Sequence, residues 1–308
     1  MLRLVSCPTV ARGAAVIAVL VGVAGCRSGS DDGGRPVGNP ADQPPIGEVQ
    51  TLTDSRDLRL PLDAYLPTRQ QESTIGTARD ILIRECMGRF GFDYPVQQHP
   101  MNTDISRRYG ISAANNVDKY GYHPAPEEVP AKPTGGNGKA PSEVEQMVLT
   151  GQGKSSHAGQ EIPERGCAGE ADGTLGQPVT ANGIQQQADN YVLSLSTEAN
   201  LAARADTRVL DAWGKWSQCM DDAGYDYRDP WAANDNPEFS GDTPSAEEIS
   251  TAKADLRCRE MHNVAGINLT VETAYQNRLI ERNSETLRQV KTQLDERVRK
   301  ATELAGGR

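Results

Sequence analysis

Apolar residues in this chain are sparse but periodic, and the periods are helical. Between residues 71 and 89, Ile75, Ala78, Ile81, Leu82, Cys86 and Phe90 recur mostly at spacings of three and four. Leu210, Trp213, Trp216 and Met220 do the same over 205–222. Such spacings place side chains on one face of an α-helix, so both stretches are predicted as amphipathic helices. The most regular pattern lies at the end of the chain. From Asn268 to Leu304 there is neither Pro nor Gly, and Val271, Tyr275, Leu279, Ile280, Leu287, Val290, Leu294, Val298 and Leu304 form an apolar stripe among charged residues. One continuous helix over this stretch would extend on the order of 55 Å at 1.5 Å per residue. It suits either a strut packed along the rest of the fold or a coiled-coil contact with a partner. Asn283 interrupts the stripe.

Two windows of this pattern repeat. Cys86-Met87-Gly88-Arg89-Phe90-Gly91-Phe92-Asp93-Tyr94 recurs as Cys219-Met220-Asp221-Asp222-Ala223-Gly224-Tyr225-Asp226-Tyr227. Each copy closes a predicted helix. Gly91 and Gly224 stand where helices commonly end in a left-handed residue, which glycine adopts without steric cost. A second correspondence joins Pro141-Ser142-Glu143-Val144-Glu145 to Pro244-Ser245-Ala246-Glu247-Glu248. Each reads as a helix start, with Ser as cap and acids in the first turn. Each also precedes a further cysteine, Cys167 or Cys258. The pattern predicts a mainly α fold with two related helical units, over 59–195 and 196–308, and extensive loops. The polar stretch 96–141 and the Gly-rich stretch 151–180 are the longest of these, and a structureless loop of such length is either disordered or functional.

The first 58 residues follow a different pattern. Arg3 and Arg12 precede an uncharged apolar run from Gly13 to Gly25, and Val23-Ala24-Gly25 places small residues before Cys26. The run falls short of the roughly 20 apolar residues of a comfortable membrane span. Residues 1–25 therefore read as a signal peptide. A plain secretory signal would end in a small-x-small site; the cysteine directly after Val-Ala-Gly points instead to a lipoprotein signal, with Cys26 acylated after cleavage. Two acyl chains anchor stably where one would bind reversibly. Residues 26–58, rich in Gly, Pro, Asp and Ser, read as a lipidated tether.

Composition sharpens this picture. Hydrophobic content is 37% and aromatic content 5%, too little for a large core. The formal net charge is −10, and removal of the signal, with two arginines and no acid, leaves −12. That balance argues against nucleic acid as a partner. Four cysteines remain besides the lipid site and the discarded Cys7: Cys86, Cys167, Cys219 and Cys258. An even number in an exported chain argues for disulfides, of which four cysteines allow three pairings. Duplication makes Cys86–Cys167 and Cys219–Cys258 the simplest.

Candidate chemistry is thin. Gly151-Gln152-Gly153-Lys154-Ser155 imitates a phosphate loop, but Val148 stands where that motif needs Gly and no strand precedes it. His99, His123, His157 and His262 are far apart, and His262 alone lies four residues from a cysteine, Cys258. No catalytic residue, metal ligand or cofactor is assigned. Asp221, Asp222, Asp226 and Asp229 lack the alternation of a calcium loop. Phe92, Tyr94, Tyr225, Tyr227, Trp231, Tyr120 and Tyr122 offer faces for stacking on sugars, though their place beside helix ends favours local packing.

The lipobox at Val23–Cys26 and the two Cys-Met-x-x-x-Gly-aromatic windows resemble surface lipoproteins of actinobacteria, the high-GC Gram-positive bacteria. The resemblance covers these segments and not the loops. It implies a disulfide-stapled helical module on the outer face of the cell membrane, and carries over no active site. The expectation is a non-catalytic envelope lipoprotein acting as a protein-interaction or accessory module of an envelope or transport complex, held to the membrane by Cys26 and reaching an envelope partner through the helix over 268–304. The alternatives are an extracytoplasmic hydrolase of wall material, using acids such as Asp93, Asp226 or Glu260 with a histidine, and a small-ligand receptor with an enclosed apolar pocket.

Overall fold

Helix signals in the chain are strongest where a hydroxyl side chain precedes an acid- or glutamine-bearing first turn, and three such sites, at Thr68, Ser142 and Ser245, open helices of the computed structural model. It describes residues 40–100, 105–129, 141–176 and 184–306. Cys26 and the signal segment lie outside them. Helix α1 spans Arg69–Arg89 and opens on a reciprocal box. The Gln71 amide donates to Thr68 Oγ1 at 3.3 Å, and the Thr68 amide donates to Gln71 Oε1 at 2.8 Å. A one-turn helix, α2 (Val117–Tyr120), follows, then α3 (Glu143–Thr150), capped by Ser142 in the same manner. Next come α4 (Gly166–Thr174), α5 (Ile184–Arg204), α6 (Thr207–Asp222) and the short α7 (Pro230–Asn234). Helix α8 (Ala246–Met261) is capped by Ser245, and α9 (Val264–Arg282) and α10 (Ser284–Gly306) complete the chain. Strand structure among the described residues is one pair of two-residue strands, Ser156–His157 and Gln160–Glu161. The fold is mainly helical, as its periodicity predicts.

The repeated windows take the same local form. Phe92 donates its amide to Met87 O at 3.1 Å, and Tyr225 donates to Met220 O at 2.9 Å. Gly91 and Gly224 hold φ of +81° and +90°. Each helix end is thus closed by a left-handed glycine with a bond reaching back five residues. Cys86 bonds to Cys167, joining α1 to α4, and Cys219 bonds to Cys258, joining α6 to α8. Each bridge closes a long loop, of 81 and 39 residues. Loop-closure entropy alone makes each worth about 4 kcal/mol. Disulfides of this kind belong to an oxidising, extracytoplasmic compartment. No helix among the described residues is long and apolar enough to cross a membrane.

The apolar interior is divided into small clusters. One gathers Ile83, Met87, Phe90, Val148 and Ile162 around Cys86–Cys167. The largest packs Val209, Trp213, Trp216 and Met220 of α6 against Ala252 and Cys258 of α8 and Val264 and Val271 of α9. A third joins Val192, Leu195 and Ala199 of α5 to Leu279, Leu287 and Val290, with Leu62 from the turn at Pro61–Tyr65.

Four expectations change. The stretch 268–304 is helical but breaks at Asn283, which separates α9 from α10. Asn283 Nδ2 donates to Leu279 O at 2.7 Å, and its Oδ1 accepts from the Tyr191 hydroxyl at 2.7 Å, so its amide groups are spent closing α9 on α5. The stripe beyond it is buried within the chain, with α9 packed on α5 and α6 and α10 on α1. The strut arrangement holds, and no coiled-coil seam is left open at Leu287, Val290 and Leu294.

Ordered chain also begins before Leu60, within the expected tether. Ile46 packs against the largest cluster and Pro44 is buried. Arg208 Nη1 donates to Pro44 O at 3.0 Å, and Arg278 Nη1 to Asp42 O at 2.6 Å. The Gln50 amide donates to Thr270 Oγ1 at 3.0 Å. A Pro-rich extended strap has few intramolecular backbone bonds to offer, and side chains of α6 and α9 supply them instead. The loop over 96–141 is ordered over 105–129, where Tyr109, Ile111, Val117 and Tyr122 are buried. Finally, α5 runs across the expected boundary at 195/196, and the described residues belong to one compact unit.

Glycine substitutions test the two helix ends. A Cβ at Gly91 or Gly224 meets nothing within 4 Å, so the left-handed φ alone opposes it. Gly91→Ala and Gly224→Ala should each lower unfolding free energy in urea by about 1 kcal/mol. Gly214, inside α6 and equally open, should respond with the opposite sign, Gly214→Ala stabilising by up to about 1 kcal/mol.

Candidate functional site

A buried carboxylate must find donors, and this fold places three of them on α8 and α9, facing the segment 105–129. Glu272 of α9 is fully buried. Its oxygens accept from Arg108 Nε at 3.0 and 3.1 Å, from Arg108 Nη2, from the Tyr109 hydroxyl at 3.0 Å, from Asn200 Nδ2 at 2.9 Å and from Gln276 Nε2 at 2.8 Å. Arg108 Nη2 also donates to Ser196 O at 3.0 Å, and Gln276 Oε1 accepts the Leu62 amide at 2.9 Å. One carboxylate therefore joins the loop, α5, α9 and the turn before α1. Burial, and then the Glu272 charge, push the Tyr109 hydroxyl well above its ordinary pKa, which keeps it a donor.

Asp255 of α8, also fully buried, accepts from Trp216 Nε1 at 2.7 Å, from Arg259 Nε at 2.6 Å and from the Tyr122 hydroxyl at 3.0 Å. Arg259 continues outward to Tyr109 O at 2.6 Å and Pro230 O at 3.1 Å. Its guanidinium lies against Gly110, where a Cβ would come within 2.5 Å of Nη1. Glu248, in the first turn of α8, accepts from the Tyr122 amide and from His123 Nδ1, both at 2.8 Å. His123 Nε2 donates to Gly241 O at 2.6 Å. The Gly241 carbonyl, and after it the Glu248 carboxylate, raise the His123 pKa, because both ring nitrogens face acceptors. Both ring nitrogens are thus occupied within the fold, one by a carboxylate and one by a backbone carbonyl.

Asp80 and His99 form the second carboxylate–imidazole pair, at 2.9 Å, and Ser73 lies close by. The trio does not compose a nucleophilic triad. Ser73 Oγ donates to the His99 backbone carbonyl at 2.6 Å rather than to the ring. The other ring nitrogen is pressed against α1 at Gly76, where a Cβ would meet His99 Nδ1 at 2.7 Å. The group stitches residues 97–99 to the helix, with Gln97 donating its amide to the same Asp80 oxygen at 2.9 Å.

The other residues singled out by sequence fall in separate places. Asp93, Asp226 and Glu260 are exposed, and neither histidine–carboxylate pair includes them. Asp221 and Asp222 are exposed as well, whereas Asp229 is buried and caps α7 through the amides of Trp231 and Ala232. Among the described residues no group of three or more His, Cys, Asp and Glu is placed to hold a metal. The aromatics pack locally: Phe92 stacks on His157 at 5.3 Å, Tyr122 on Phe239 at 5.8 Å, and Arg204 lies over Trp231 at 4.7 Å. Gly151, in the false phosphate loop, ends α3 and crosses Gly166 so closely that a Cβ would sit 2.5 Å from the Gly166 nitrogen. An open concavity of about 830 Å³ is bordered by Arg59, Asp63, Arg69 and Glu72 together with Leu58, Leu60 and Leu66. No family model, curated protein or solved structure matches this chain.

The arrangement ties the 105–129 segment, the turn before α1 and helices α5, α6, α8 and α9 to one another through buried carboxylates, and residues 97–99 to α1. Sequence reasoning passed over Glu272, Asp255 and Asp80, and read Glu248 only as a first-turn acid. Their one signal is an acid at a position that the helical period assigns to the buried face.

Two outcomes follow from this geometry. Glu272→Gln leaves Arg108 without its counter-charge and should lower stability by about 3 kcal/mol in urea titrations. The raised His123 pKa stabilises the fold fully at pH below about 6.5, the unfolded value, and that contribution disappears as pH rises through the folded value. Thermal midpoints should therefore fall between pH 6 and 9, with a shallower decline in His123→Gln.

Proposed function

We propose that this chain is a non-catalytic lipoprotein of the cell envelope, anchored through Cys26 and serving as a rigid interaction module for an envelope or transport complex. The observation that carries the reading is where the docked chain begins. From Asp42 onward the strap is bonded to α6 and α9, so only residues 27–39 separate Cys26 from the strap's first turn at Pro40–Asp42. At about 3.5 Å per residue, such a spacer reaches roughly 50 Å at most. A body held that close to the bilayer, and tied internally by two disulfides and three buried carboxylate networks, suits a fixed docking part. The duplicated cysteine windows and the lipobox agree with the likeness to actinobacterial surface lipoproteins.

The partner surface belongs to the outward face of α10. Its apolar stripe is used internally; Arg288, Asp295, Arg299 and Glu303 remain exposed on the other side, and Lys291 is half-buried beside them. Charged rim residues of this kind set register and association rate more than affinity.

Both parts are open to direct test. Cells fed an alkyne fatty acid should label the wild-type protein and not Cys26→Ala, which should appear in the medium; an unlabelled wild type would overturn the anchor. A photo-crosslinker placed at Lys291 in native membranes should yield one discrete adduct, lost when Arg288 and Arg299 are both changed to Glu. Absence of any adduct from the α10 face, with the protein correctly anchored, would overturn the interaction reading.

A further inference from the structure

The two disulfides sit in unlike surroundings. Cys86 and Cys167 are 2% and 0% exposed, sealed by Ile83, Val148 and Ile162. Cys258 is equally buried, but its partner Cys219 is only half-buried and lines an open groove of about 520 Å³. Lys215, Gln218, Asp222, Arg257, Met261 and His262 form the rest of that groove with Ala223. Met261 is 64% exposed, the highest value among the large apolar side chains described. The second bridge thus borders an open groove through Cys219, beside Lys215, Arg257 and Met261, whereas both cysteines of the first bridge are buried.

We propose that Cys219–Cys258 is a thiol–disulfide exchange site, entered at Cys219 Sγ by a thiolate and favouring an anionic thiol. The incoming sulfur attacks Cys219 Sγ along the S–S axis and forms a new S–S bond. The bond to Cys258 breaks, and its electron pair leaves on Cys258 Sγ, which takes a proton from water. A second thiolate then attacks the outer sulfur of the mixed disulfide and releases Cys219 as a thiolate, which also takes a proton from water. Two thiols are oxidised to one disulfide while the protein bridge gains two electrons and two protons. Exchange rates depend on which sulfur can be reached, and here only Cys219 faces the groove. Lys215 is partly neutralised by Asp211 at 2.7 Å, and Asp222 opposes an anion, so Arg257 is the main attracting charge. Reduction would release the link between the C-terminal ends of α6 and α8 and leave the α1–α4 bridge intact.

The test treats the native full chain with neutral 2-mercaptoethanol or anionic 2-mercaptoethanesulfonate. Acid quenching, alkylation and peptide mapping then follow each cysteine pair over time. Cys219–Cys258 should open at least tenfold faster than Cys86–Cys167, and mixed-disulfide adducts should map to Cys219. The anionic thiol should lose several-fold of its rate relative to the neutral one in Arg257→Glu. Equal rates at the two bridges would mean that unfolding controls access and would overturn the site, as would adducts on Cys258. An unchanged thiol preference in Arg257→Glu would overturn the selectivity.

Discussion

The carboxylate of Glu272 holds the molecule to a single arrangement. With no exposure to solvent, an unpaired charge there would cost several kcal/mol, so the fold exists only where Arg108, Tyr109, Asn200 and Gln276 converge on it. That requirement brings the segment 105–111 across α9 and α5, and through Gln276 it fixes the turn that introduces α1. Asp255 and Glu248 extend the same logic along α8. Together they convert a long polar stretch into a buried structural element whose own backbone carbonyls are met by Arg107 and Arg259.

Thin apolar clusters explain why so much is asked of polar groups. None of the clusters is large enough to stand for a whole domain, and each draws on elements distant in sequence. The disulfides support the clusters at the ends of α1 and α6, where the repeated windows turn back over their helices. Their difference in access is a consequence of this economy. The first bridge has α3 and the Ile162 segment above it, while the second has only Met261 and a few charged side chains.

Function follows from the same constraint. The buried carboxylates of Glu272, Asp255, Glu248 and Asp80 are engaged in holding elements together, and both ring nitrogens of His123 face acceptors. The proposed anchor at Cys26 is joined to this frame by a short spacer. The docked strap matters most in this respect, because Arg208, Thr270 and Arg278 turn an expected leash into part of the body.

Local features of this protein were legible in its sequence because they depend on neighbours in the chain. Helical periods over 71–89 and 205–222, Ser caps at 142 and 245, the left-handed glycines at 91 and 224 and the one-bridge-per-copy pairing all rest on spacing and duplication. The histidine–carboxylate pairs, the docked strap, the ordered 105–129 segment and the break at Asn283 were not legible. Each is decided by partners 19 to 236 residues away. Composition marks these stretches as polar and loop-like, and polar side chains carry no period that reports burial. Only the tertiary structure decides whether such a side chain meets water or a buried ion, since that choice is made by the free energy of pairing across the fold.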